Sequence, residues 1–158
     1  MKKNNLLLVI ALFPFVACFA QQQKGDLQLQ VQGTYFSQGS FNGGFVFFNA
    51  SKFITQNIEV GASPIISIST KTTVDLSVYS NYNFISGNAK MVPYAGVQLL
   101  VKGIGDTASQ TGFGLKGGIR YFITERVNVD VGPNITFLSG ASLFYFNAGL
   151  GFILGRKG

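Results

Sequence analysis

The strongest constraint on the fold is an alternation of apolar and polar residues that runs through nearly every stretch after Gln21. "DLQLQVQGTYF" (26–36) is the cleanest case: Leu27, Leu29, Val31 and Tyr35 fall on one side, and Gln28, Gln30, Gln32 and Thr34 on the other. "TVDLSVYSNYNF" separates Val74, Leu76, Val78, Tyr82 and Phe84 from Asp75, Ser77, Tyr79, Asn81 and Asn83. "VNVDVGPNITF" separates Val127, Val129, Val131, Ile135 and Phe137 from Asn128, Asp130, Gly132 and Asn134. A period of two is that of a β-strand with two unlike faces, and no segment of comparable length has a helical period. Extending the pattern predicts eight strands, at 26–36, 44–54, 58–68, 74–84, 91–101, 113–123, 127–137 and 144–154. The second and third alternate least cleanly, and "GFVFFNA" is apolar on both faces.

Two of the predicted hairpins repeat one solution. "KFITQNIEVG" and "RYFITERVNVDVG" both place an aromatic residue, Ile and Thr before two polar residues and a new alternating run. For Ile54 and Ile58 to share the apolar face, the loop between them needs an odd number of residues, and "TQN" (55–57) supplies it. Ile123, "TER" (124–126) and Val127 pass the same test. Counting outward from the second turn places Arg120 directly opposite Asp130, both on the polar face. The connections at 55–57, 85–90 and 124–126 are expected to be shorter as a set than those near 37–43, 69–73, 102–112 and 138–143. Short turns on one side and longer loops on the other is the asymmetry of an outer-membrane barrel.

Composition decides which face is wet. Only 11% of residues are charged, whereas 47% are hydrophobic and 14% aromatic; soluble surfaces carry roughly a quarter to a third charged residues. The polar face is mostly Gln, Ser, Thr, Asn and Gly, with about one charge per strand, which suits a crowded lumen better than a wet exterior. The expected fold is therefore all-β, an eight-stranded antiparallel up-and-down transmembrane β-barrel with its apolar face toward lipid. A soluble lipocalin-like carrier, apolar inside, is the competing arrangement.

The N-terminus fits export. "MKK" is a basic n-region, Leu6 to Leu12 an apolar h-region, and "FPFVACFA" ends in small residues before "QQQ". This predicts a signal peptide at 1–20, cleaved between Ala20 and Gln21, and a barrel domain over 21–158. Cys18, the single cysteine, would instead be the lipidated residue in a lipoprotein processing scheme. Losing Lys2 and Lys3 with the leader lowers the formal charge of +6 by two. The remaining cations are scattered apart from Arg156-Lys157, so no basic face for nucleic acid is expected.

The "YFIT" hairpin, the "PYAGVQL" strand opening and the Gly-aromatic last strand resemble the small outer-membrane β-barrel family, which includes OmpX-like proteins and the barrel domain of OmpA-like proteins. The resemblance covers most of 26–154. It implies residence in the outer membrane of a gram-negative bacterium, contact with outer-membrane lipids including lipopolysaccharide, and other envelope proteins as partners. The chain departs from the family at its end: such barrels commonly finish on an aromatic residue, whereas here "LGRKG" follows Phe152 and Ile153.

Little in the sequence points to chemistry. The chain has no His, which removes the usual general base and the commonest metal ligand. Lys116 and the inward serines have no spacing that orients a Ser–Lys pair. "GFGLKG" (112–117) matches a phosphate-loop pattern in letters, but another strand half follows it rather than a helix. "NAS" at Asn49 and "NIT" at Asn134 match a glycosylation sequon inside predicted strands. No catalytic residue, cofactor or metal ligand is assigned. The candidate site is structural: a lumen ion pair of Arg120 and Asp130, joined by Lys116, with Glu59 and Asp75 as further lumen carboxylates. Tyr35, Phe137 and Phe144 toward the loop end, and Tyr82, Phe84, Tyr121 and Phe152 toward the turn end, are expected to form aromatic belts at the two membrane surfaces. The loop 102–112 is the candidate for external recognition. The expected function is a non-catalytic integral outer-membrane barrel, structural or a subunit of an envelope complex, with a narrow pore or transporter as the alternative.

Overall fold

The computed structural model describes residues 22–38, 41–69, 72–86, 90–104 and 109–155. The predicted signal peptide and Cys18 lie outside the described residues. Eight strands follow in order: β1 (Leu27–Gln38), β2 (Phe41–Phe53), β3 (Ile58–Ile68), β4 (Thr73–Asn83), β5 (Met91–Lys102), β6 (Gln110–Phe122), β7 (Val127–Leu138) and β8 (Ala141–Leu154). Each pairs antiparallel with its sequence neighbour, and β1 pairs with β8 to close the barrel. The closing ladder runs from Leu27↔Leu154 to Gly33↔Ala148; closing a sheet on itself is what allows it to sit in hydrocarbon.

Side chains sort as the alternation predicts. Gln28, Gln30, Gln32, Asp75, Ser77, Asn81, Asn83, Asn128, Asp130 and Asn134 are buried in the lumen, while Leu29, Val31, Val78, Val97, Leu99, Val131 and Leu150 lie exposed on the outer wall. This is the reverse of a soluble carrier. The lumen is layered. At the turn end, Phe53, Val92, Phe122 and Ile153 are buried, and Ile85 packs against this group. The middle is polar. Toward the loop end, Phe47, Ile65, Leu100 and Tyr145 form a second apolar cluster, with Phe45, Leu138 and Leu143 packed against it. The muddled alternation of "GFVFFNA" follows from this: Phe45 and Phe47 turn inward, while Phe48 is exposed on the wall.

The two repeated turns have one mechanism. Ile54 N–H donates to the Ile58 carbonyl (2.9 Å) and Ile123 N–H to the Val127 carbonyl (2.9 Å), enclosing 55–57 and 124–126. Thr55 Oγ1 accepts from the N–H groups of Asn57 (3.2 Å) and Ile58 (2.9 Å). Thr124 Oγ1 accepts from those of Arg126 (3.2 Å) and Val127 (3.1 Å). In each repeat the Phe seals the lumen, the Ile faces outward and the Thr fastens the turn. Local side-chain-to-backbone bonds of this kind favour Thr at turns.

The expected loop asymmetry does not hold. Strands at the other end run further than the alternation indicates, so the connections there shrink to 39–40, 69–72, 103–109 and 139–140. At the turn end they span 54–57, 84–90 and 123–126. The strand ends at the loop rim are rich in Gly, Ser and Asn, which carry no hydrophobic period yet continue the backbone ladder, as Gln38↔Phe41 and Leu138↔Ala141 do. The expected recognition loop 102–112 is reduced at both ends, since Lys102 belongs to β5 and Gln110–Gly112 to β6.

Candidate functional site

The predicted site residues lie on four strands, and the structure gathers most of them at one level of the lumen. Arg120 on β6 is directly opposite Asp130 on β7, and its Nε donates to Asp130 Oδ2 at 3.1 Å. Its Nη1 crosses the lumen to Glu59 Oε2 on β3 at 3.0 Å and to Asn83 Oδ1 on β4 at 3.2 Å. The three charged side chains are at most 1% exposed. Asp130 Oδ1 accepts from Tyr94 Oη (2.8 Å) and from Gln32 Nε2 (3.0 Å). Gln32 Oε1 in turn accepts from Asn49 Nδ2 (3.0 Å), so the network reaches seven strands, β1 to β7.

Tyrosines organise the cations. Lys116 Nζ sits 4.1 Å from the centre of the Tyr79 ring, and Arg120 Cζ 4.9 Å from that of Tyr94. Both distances are within cation–π range. Each ring lies over a glycine directly across the ladder, Tyr79 over Gly61 and Tyr94 over Gly118. A Cβ on Gly61 would fall 2.7 Å from Tyr79 Cζ, and one on Gly118 would fall 2.8 Å from Tyr94 Oη. The rings lie flat on the wall only because those positions have no side chain. The repeated unit is glycine, tyrosine, cation.

Asp75 stands apart from this cluster. Its Oδ2 accepts from Ser67 Oγ and its Oδ1 from Gly103 N–H, both at 2.7 Å, which ties β3 and β4 to the start of the β5–β6 connection. An apolar recess of about 30 Å³ lies nearby, lined by Phe45, Phe47, Ile65, Leu100 and Tyr145 among others. That is room for little more than a water molecule.

The other motifs resolve without chemistry. "GFGLKG" lies within the unbroken strand β6, so no helix N-terminus faces an anion there. Asn49 and Asn134 are buried in the lumen. Among the described residues no group of three or more His, Cys, Asp or Glu could hold a metal. Tyr35, Tyr82, Phe84, Phe137, Phe144 and Phe152 are exposed on the wall, and Tyr121 is half-buried there. Tyr82 packs on Phe84 near the turn end (ring centres 5.1 Å apart), and Phe113–Phe137 and Phe144–Phe146 pair near the other.

Pairing across one hairpin reads only adjacent strands. The contacts of Arg120 with Glu59 and Asn83 span the lumen; those partners and Gln32 are visible in sequence only as inward-facing positions, and Tyr94 is not singled out there at all.

No protein-family model matches the chain, and no curated protein matches it in sequence. Solved structures do match. The N-terminal β-barrel domain of Pseudomonas aeruginosa OprF aligns with a TM-score of 0.68 at 17% identity, over 84% of this chain and 100% of that one. The fold is that of the small outer-membrane β-barrels. A de novo designed transmembrane β-barrel aligns with a TM-score of 0.66 at 15% identity, over 85% of this chain and 99% of the design. The Yersinia pestis outer membrane protein Ail, in a phospholipid bilayer nanodisc, aligns with a TM-score of 0.55 at 12% identity, over 83% of this chain and 100% of Ail. A designed barrel aligning nearly as well as a natural one makes the likeness one of architecture, and function has to be argued from the residues.

Proposed function

We propose that this chain is an integral outer-membrane β-barrel protein of a gram-negative bacterium, exported through a cleaved signal peptide at 1–20, non-catalytic and non-conducting, with a structural or scaffolding task in the envelope. One observation carries the reading. Among the described outward-facing strand residues a single one is charged, Lys52 at the turn-end rim, while Arg120, Glu59 and Asp130 are enclosed in the lumen. A wall of this kind is stable in hydrocarbon and insoluble in water; an Arg at the bilayer midplane would cost about 2–4 kcal/mol. Eight strands leave a lumen that side chains fill, and here an ion-pair cluster stands between two apolar clusters. The outward aromatics near both rims serve as interfacial belts, and Arg120 with its partners braces the wall from inside. Lipids of the outer membrane, lipopolysaccharide included, are the constant partners, and other envelope proteins the scaffolded ones.

The test is to fractionate cells, then reconstitute the purified protein in planar bilayers. Membrane association with heat-modifiable gel migration and no stable conductance steps is the expected result. A soluble periplasmic protein overturns the membrane reading, and a stable open channel overturns the structural one in favour of a narrow pore.

A further inference from the structure

Among the described strand residues Lys52 is the one charge on the outer wall. It is the second-last residue of β2, directly across from Leu27 on β1 and Val60 on β3. Neither neighbour offers a counter-charge, and the lumen carboxylates Glu59 and Asp130 are paired with Arg120. Two residues further from the rim on the same face is Ala50, which lies across from Leu29 and Ala62. The small side chains at 50 and 62 lower the wall between larger ones. Around Ala50 lies a shallow, open and mainly apolar depression of about 340 Å³ lined by Leu27, Leu29, Ala50, Val60 and Leu154, with Gln28 and Ser51, and with Lys52 at its rim end.

We propose that this groove is a binding site for an anionic phospholipid of the leaflet at the turn end, one acyl chain lying over Ala50 and the headgroup phosphate at Lys52. The inference rests on the membrane-embedded reading above. Charge complementarity selects the occupant: an apolar depression ending in one unpaired ammonium at the interface matches a lipid with a negative head. The exposed Lys24 and Arg126 lie at the same end, with Glu125 beside Arg126, and the excess of cations there strengthens the positive field. The molecule also carries its own control. A second groove of about 360 Å³, near the opposite rim, is lined by Tyr35, Gly44, Val46 and Ile68 among others and contains no charged residue. It offers apolar surface of similar size without a cation to select an anionic head.

The experiment reconstitutes the full chain in phosphatidylcholine vesicles carrying either spin-labelled phosphatidylglycerol or spin-labelled phosphatidylcholine, and reads the motionally restricted lipid by electron spin resonance. Wild type is expected to favour phosphatidylglycerol, and Lys52→Gln to lose about fivefold of that preference, equivalent to about 1 kcal/mol. Ala50→Phe, which fills the groove and keeps the charge, is expected to lose restricted phosphatidylglycerol as well. Ala95→Phe, on the outer wall away from both grooves, is expected to leave it unchanged. Equal preference in wild type and Lys52→Gln overturns the site. Loss in Lys52→Gln with full retention in Ala50→Phe also overturns it, since attraction at the surface would then need no groove. Failure of wild type to insert, seen as no heat-modifiable band, overturns the membrane reading itself; insertion without selectivity overturns only this inference.

Discussion

The lumen and the outer wall are two faces of the same eight strands, built by different rules. On the wall, Val31, Val78, Val97 and Leu150 need only be apolar and fit the ladder. In the lumen, identity matters residue by residue: Arg120 has geometry for Glu59, Asn83 and Asp130 together, and Tyr94 lies flat only over Gly118. The wall meets a fluid solvent that adapts to any apolar shape. The lumen meets itself, so Arg120, Glu59, Asn83 and Asp130 depend on one another, while the buried side chains of Gln28 and Asn128 have no hydrogen-bond partner within the protein. Polar specificity is therefore concentrated inside this protein, the opposite of a soluble domain.

The comparison is broken most directly at Arg120. Arg120→Met leaves Glu59 and Asp130 buried without their cation and is expected to destabilise the barrel by about 3–5 kcal/mol, measured by denaturant unfolding in vesicles. The fourfold change Arg120→Met, Lys116→Met, Glu59→Gln, Asp130→Asn removes the charges together, Lys116 included, and should recover most of that loss; no recovery would mean that the cluster acts through shape rather than charge.

A charge on the wall tests the other side. Val97→Arg, near the middle of β5, is expected to cost about 2–4 kcal/mol, whereas Leu27→Arg at the turn-end rim should cost about 0–1 kcal/mol. Equal costs at the two depths would contradict a bilayer around this surface. The smallest effect concerns the paired turns. Thr55→Ala and Thr124→Ala each remove an acceptor for two backbone N–H groups and should cost about 0.5–1.5 kcal/mol apiece, nearly equal because the two geometries match. A large difference would show that the repeat is one of sequence and not of energetics.

These faces were unequally legible. The wall could be read almost completely, because a period of two assigns every side chain once a single register is known: Ile123 and Val127 set β6 and β7, and Arg120 then fell opposite Asp130. Contacts across the lumen were not legible, because the distance from β6 to Glu59 on β3 depends on barrel curvature that no hairpin encodes. The loop rim was misread for a different reason. Phe41 to Gly43 and Ala141 to Leu143 have little hydrophobic period, so the alternation ends the predicted strands short of them, while hydrogen bonding between backbones carries the strands on.

The pairing of Leu27 with Leu154 sets a condition on how the molecule is made. These residues open the first strand and finish the last, so the ladder between them forms only after the whole chain is available. Until then seven hairpin-linked pairings hold a sheet with two bare edges, each presenting backbone groups that hydrocarbon cannot satisfy, at several kcal/mol per group. Assembly is thereby all or nothing: a chain missing β8 has no intermediate barrel to settle into, and completeness is checked by the membrane itself.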